Sequence, residues 1–233
     1  MVLNLSWWKQ HLTIQAQTIK DTFMKKILVL FLMLFTSLSF AGEPEVGVNF
    51  DKTIQVVPTD NKDKIEVVEL FWYGCIHCYQ MDPILSDWVK KLPKDVYFKR
   101  IPAIPRPDWA PMAKAYYAME TLGINEKLHG AIFDAVHKDH TLNPADEKAI
   151  LQWVTLKSGL DHKKVEDAFN SFSMSASLNK AAQIFRASGA TGVPTLMIDG
   201  KYITSSTMAG GNNEALQIAD FIINNVRKDR NKK

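Results

Sequence analysis

Cys75 and Cys78, separated by Ile76 and His77, are the residues whose type and spacing are best suited to chemistry. Cysteines three apart on the first turn of a helix lie within reach of a disulfide. At a helix N-terminus, unpaired backbone N–H groups and the positive end of the dipole stabilise a thiolate. Cys75 is therefore expected to be the attacking and leaving sulfur, and Cys78, pointing toward the core, the resolving one. His77 adds positive charge beside Cys75 when protonated. Ile76 should be exposed, with its peptide N–H near the Cys75 sulfur, and is a candidate for redox tuning. A purely structural disulfide would close too small a loop to restrain much chain entropy. A zinc site would need two more ligands, and the nominees His129, His137 and His140 fall in a polar helix-end stretch where solvation is expected. Neither a metal nor a cofactor is expected.

Two other segments bear on this pair. Glu69 lies six residues before Cys75 in an apolar, β-rich run. On an alternating strand it points either beneath the dithiol or outward. Beneath the dithiol, burial would raise its pKa and suit it to proton transfer. Asp82, a turn beyond Cys78, reads as a helix-surface charge at least as readily as a site residue. Gly192-Val193-Pro194-Thr195 opens a late strand. Proline is tolerated at a strand's first residue, with a cis or trans bond before it. Facing Cys75, this loop would leave the backbone of Val193 free to pair with an extended peptide.

The elements that must position these groups follow from periodicity. Residues 65–71 suit a buried parallel strand, and residues 78–92 repeat apolar positions at spacings of three and four until Pro93. Residues 96–101 read as a second strand, so 65–101 form a βαβ unit with the cysteines at its corner. Three prolines in 101–107 forbid a continuous helix. Helical patterns then cover 109–122, 125–137, 144–157 (with Asn143 as N-cap before Pro144), 162–169 (capped by Asp161) and 174–188. Strand pattern returns at 195–198. Asp199-Gly200 signals a hairpin to 201–204. A helix follows over 214–226, and the basic end, 227–233, reads as a solvated tail.

Residues 24–41 read as an address. Lys25-Lys26 precede an apolar run over 27–35, and Ser39 and Ala41 form a small-residue cleavage site. This is the pattern of a secretory signal peptide, too short an apolar run to span a bilayer comfortably as an anchor. Residues 1–23 then read as an upstream extension, and the exported chain would begin at Gly42. Export to an oxidising compartment permits disulfide chemistry. Of the 28 basic and 25 acidic side chains, four basic and one acidic precede residue 42, so the remaining chain is balanced at 24 of each. That balance argues against a nucleic-acid binder.

The chain resembles the DsbA family of thiol:disulfide oxidoreductases. The resemblance is carried by Glu69-Leu70-Phe71-Trp72-Tyr73-Gly74-Cys75-Ile76-His77-Cys78-Tyr79, by Thr191-Gly192-Val193-Pro194 and by Asp199-Gly200-Lys201-Tyr202. It implies an α/β, thioredoxin-like fold over residues 42–107 and 182–233, with an inserted α-helical subdomain over 108–181. It also implies a cis Val193–Pro194 bond, a buried acid at Glu69, and donation of the Cys75–Cys78 disulfide to unfolded or partly folded exported proteins with free cysteines in the periplasm. A DsbB-like, quinone-linked membrane oxidase is the implied partner. The chain itself is expected to be a monomer without stable membrane insertion. The family usually has proline where this chain has Ile76. A reductase or isomerase of the same fold, kept reduced in the cell, is the alternative; the absence of a dimerisation domain before the core weighs against an isomerase. A non-catalytic peptide-binding module is the alternative of another class.

Overall fold

The computed structural model describes residues 42–232; the leader expected within residues 1–41 lies outside the described residues. Five strands form one mixed sheet: β1 (Asp51–Lys52), β2 (Ile65–Phe71), β3 (Val96–Pro102), β4 (Thr195–Ile198) and β5 (Tyr202–Ser205), in the order β1-β5-β4-β2-β3. β2 and β3 run parallel, and the other pairs are antiparallel. Every residue of the central strand β2 is buried. This follows from helices covering both faces of the sheet.

Strand periodicity sorts β2 onto those faces. Ile65 and Val67 pack with Met81 and Leu85 of α1 (Ile76–Val89) and with Ala219 and Ile222 of the C-terminal helix (Asn212–Arg230). Val68 and Leu70 face the opposite way, toward Ala181 and Phe185. Glu69 shares the face of Ile65 and Val67, and so lies under α1. Between β3 and β4 the chain forms α2 (Ala110–Thr121), α3 (Asn125–His137), α4 (Glu147–Ser158), α5 (His162–Phe169) and α6 (Met174–Ser188). A third apolar cluster joins Phe71, Tyr73 and Cys78 to Met112, Ile132 and Phe133 of these helices. The inserted helices thus pack directly against the dithiol corner. After β5 come α7 (Ser206–Ala209) and α8 (Asn212–Arg230). Among the described residues, no helix is long and apolar enough to cross a membrane.

Several boundaries differ from the expected ones. α1 starts at Ile76, ends at Val89 before Pro93, and holds Pro83 in its interior. Asn143 does not cap α4. Its side chain accepts from Ala145 N–H in a preceding turn, and Asp146 caps the helix by accepting from Ala149 N–H. An Asx turn competes with an N-cap for the same residue type, and an asparagine before a proline serves either. The basic end is not a solvated tail. α8 continues to Arg230, Arg227 pairs with Asp95 at 2.6 Å, and Arg230 donates to the carbonyls of Lys62 and Lys64 and to Asp199. The hairpin turn is as expected: Asp199 and Gly200 have φ of 55° and 63°, the left-handed pair of a type I′ turn.

Candidate active site

Cys75 is the N-cap of α1, with extended backbone (φ −94°, ψ 117°), and Cys78 lies in the first turn with no exposed surface. Both are free thiols. The Cys75 backbone N–H donates to the Trp72 carbonyl, which closes the turn from β2 into the helix. Gly74 lets this turn form, because a Cβ there would strike the Trp72 indole. That indole stacks on Trp109, with ring centroids 4.1 Å apart and planes 9° from parallel.

The two thiols are driven apart chemically. The Cys75 pKa falls from near 9 to about 6, because the Cys78 thiol donates a hydrogen bond to its sulfur. Partial burial opposes the shift, while the backbone N–H groups of Cys78 and His77 and the charge of His77 add to it. The expected Ile76 amide is not among these donors. Burial pushes the Cys78 thiol well up, and the nearby charge of Glu69 pushes it further. A low-pKa thiol that is partly exposed, beside a buried one held protonated, has the properties an attacking and resolving pair requires.

The Val193–Pro194 bond is cis, and the Cys75 thiol donates to the Val193 carbonyl at 3.3 Å. Beside it opens a cavity of about 650 Å³, lined in part by His77, Gly192, Val193, Pro194, Thr207 and Met208. Ile76 (44% exposed) and His77 project from α1 at the surface. Cys75, Cys78, His77, Val193 and Pro194 therefore come together.

Glu69 is buried (1% exposed) and forms an ion pair with Arg100, from Nε to Oε2 at 2.8 Å. Desolvation nonetheless outweighs Arg100 and raises the Glu69 pKa to about 7; Asp82 and Cys75 add to the rise. Sequence reasoning missed Arg100. It sits opposite Glu69 in the parallel register of β2 and β3, on the face that Val96 and Phe98 share. A buried acid calls for a cation, and strand alternation from Val96 points to this one. Asp82 is not a plain helix-surface charge: its Oδ1 accepts from Arg100 Nη2 at 2.9 Å and from His129 at 3.1 Å. His129 and His137 are likewise not free in solvent, although His137 stays partly exposed. His129 is buried, and His137 Nε2 donates to the Tyr73 carbonyl at 2.8 Å while its ring stacks on Tyr79. Apolar residues at helical spacing in α3 turn both histidines toward the dithiol corner. His140 stays exposed.

A profile of the DSBA-like thioredoxin domain matches residues 94–222, more than half the chain. The thiol:disulfide interchange protein DsbA of Pseudomonas aeruginosa is 36% identical over 194 residues, covering 83% of this chain and 91% of that protein. The chain belongs to the DsbA family. The DsbA of Burkholderia cepacia is 37% identical over 212 residues, covering 88% and 98% of the two chains. The crystal structure of Pseudomonas aeruginosa DsbA superimposes with a TM-score of 0.77 at 36% identity, covering 83% of this chain and 99% of that one. Like these DsbA proteins, this one is a thiol:disulfide oxidoreductase with a thioredoxin-like fold.

Proposed function

We propose that Cys75 and Cys78 carry the exchange, with Glu69 as the proton-exchanging acid, His77 and Ile76 as tuning residues, and Val193-Pro194 as the seat of the substrate backbone. The observation that carries this reading is the position of Cys75 at the N-cap of α1. It is partly exposed, hydrogen-bonded to Val193, and next to a buried Cys78. A substrate thiolate attacks Cys75 Sγ and breaks the bond to Cys78. The electron pair leaves on Cys78 Sγ, which takes a proton from the Glu69 carboxyl. A second substrate thiolate then attacks the substrate sulfur of the mixed disulfide. Cys75 leaves as a thiolate, and the substrate keeps the new disulfide. The substrate is oxidised by two electrons, and the enzyme disulfide is reduced by two to the dithiol. A stabilised Cys75 thiolate is a good leaving group and favours the reduced enzyme, so it supports the oxidase direction over a reductase or isomerase.

In this reading the substrates are exported, incompletely folded proteins with free cysteines, met in the periplasm after removal of a leader within residues 24–41. A DsbB-like, quinone-linked membrane oxidase restores the disulfide. Residues 42–107 and 182–233 act as the redox domain, with residues 108–181 as a helical cover. Oxidised protein mixed with an equal amount of a reduced, unfolded two-cysteine protein tests the reading. The substrate should gain its disulfide as Cys75 and Cys78 become free thiols, and Cys75→Ser should transfer nothing. Transfer that survives Cys75→Ser would refute the assignment.

A further inference from the structure

Glu69 and Asp82 flank one guanidinium. Arg100 reaches Glu69 through Nε and Asp82 through Nη2. Two carboxylates around one cation leave a buried site one negative charge in excess, so near neutrality one of the pair keeps a proton. The two are not equivalent. Among the described residues, Arg100 is the hydrogen-bond partner of the Glu69 carboxyl, whereas Asp82 Oδ1 also meets His129 Nε2.

The tautomer of His129 follows from its neighbours. An ionised carboxylate only accepts, so Nε2 carries the hydrogen and Nδ1 accepts from the Tyr73 hydroxyl at 2.8 Å. Both ring nitrogens of the neutral form are then satisfied. The ring is 8% exposed and is held edge-on between Phe71 and Phe133.

We infer that His129 is a positioning residue, whose N–H bond makes Asp82 the anion of the pair and leaves the proton on Glu69, beside Cys78. The inference rests on the proposed role of Glu69 in proton exchange. The groups facing His129 are Asp82 from α1, Arg100 from β3, Tyr73 from the turn before α1, and Glu126 from its own helix. Those facing Glu69 are Arg100, Asp82, Cys75, Cys78, Tyr73 and Tyr116. Burial resists ionisation of Asp82, but His129 and Arg100 together hold its carboxyl below the usual range. Burial also holds His129 below the usual histidine range and so keeps it neutral. Without the histidine N–H, the two carboxyls compete for one proton on nearly equal terms. Glu69 then holds it less of the time.

Carboxyl carbon NMR of the reduced full-length protein tests this, with Glu69→Gln and Asp82→Asn assigning the signals. The wild-type signal that titrates near neutral pH should vanish in Glu69→Gln and survive in Asp82→Asn, there shifted to lower pH because Arg100 no longer faces a second carboxylate. The opposite assignment overturns the inference without any histidine variant. His129→Phe should move the Glu69 titration to lower pH and bring a second titration at Asp82. The pH profile of disulfide exchange should move with it. His129→Gln keeps an N–H donor and should restore the wild-type profile. A His129→Phe protein that titrates like wild type also overturns the inference. If instead Glu69→Gln leaves the exchange profile unmoved, it is the role of Glu69 that fails.

Discussion

At Cys75 the helix start does most of the chemistry. The sulfur collects the Cys78 thiol and two amides of the first turn, and its pKa drops to about 6 although it is partly buried. The amides belong to His77 and Cys78, so any tuning by Ile76 in the proposed mechanism must act through backbone geometry and not through a lost donor. Ile76 is the first helical residue after an extended Cys75, where proline fits and its missing N–H matters little. Ile76→Pro should therefore fold normally and stiffen the turn that aims these amides. The Cys75 pKa should fall further and the reduction potential rise by up to about 30 mV, which corresponds to about 1.4 kcal/mol. Equilibration with glutathione, read through tryptophan fluorescence, measures it; Trp72 in its stack beside Cys75 is the natural reporter. A lower potential in the proline variant would show that the turn is not what limits the thiolate.

The elements that hold this site were unevenly legible in the sequence. β2, the start of α1, the Asp199-Gly200 turn and the caps of α5 are written in local pattern, and they fall close to where periodicity puts them. Arg100, Asp82 and His129 were not, because their roles depend on strand register and on the docking of α3, which no local pattern encodes. Pro83 is the opposite case: the apolar spacing of Met81 and Leu85 marks a helix that runs through it, and their packing holds what proline alone would interrupt. The hairpin turn offers an element-scale test away from the dithiol. Gly200 has φ of 63°, and a Cβ there would strike the carbonyl of Val57. Gly200→Ala should cost at least roughly 1–2 kcal/mol from the left-handed backbone alone, read as a lower urea midpoint. The rate of Cys75 alkylation in the folded protein should stay unchanged. A changed rate would mean that the turn and the site are coupled through β4.

Over the whole molecule, Glu69 and Cys75 push stability in opposite directions with pH. Glu69 has a folded pKa raised from 4.5 to about 7. Its contribution is fully present below about 4.5 and is lost as pH rises through about 7. The oxidised protein has no Cys75 thiolate, and measuring it against Glu69→Gln cancels the opposite slopes of His129 and His137, whose pKa values burial lowers. Its stability should decline across that window by a few kcal/mol, as about 1.4 kcal/mol per pKa unit implies for a fully buried group. Glu69→Gln should flatten the decline, and urea titrations at several pH values read both slopes. An equal decline in the variant would assign it to another group.

Cys75 has the opposite sign. Its folded pKa is depressed from near 9 to about 6, so its contribution in the reduced protein is complete above about 9 and is lost as pH falls through about 6. The folded structure thereby favours the dithiol, which is why the enzyme gives its disulfide away. Chemical denaturation of the oxidised and reduced forms, at neutral pH and again below the Cys75 pKa, tests this most directly. The reduced form should have the higher midpoint at neutral pH, and the gap should narrow in acid. An oxidised form that is clearly the more stable at neutral pH would contradict the account.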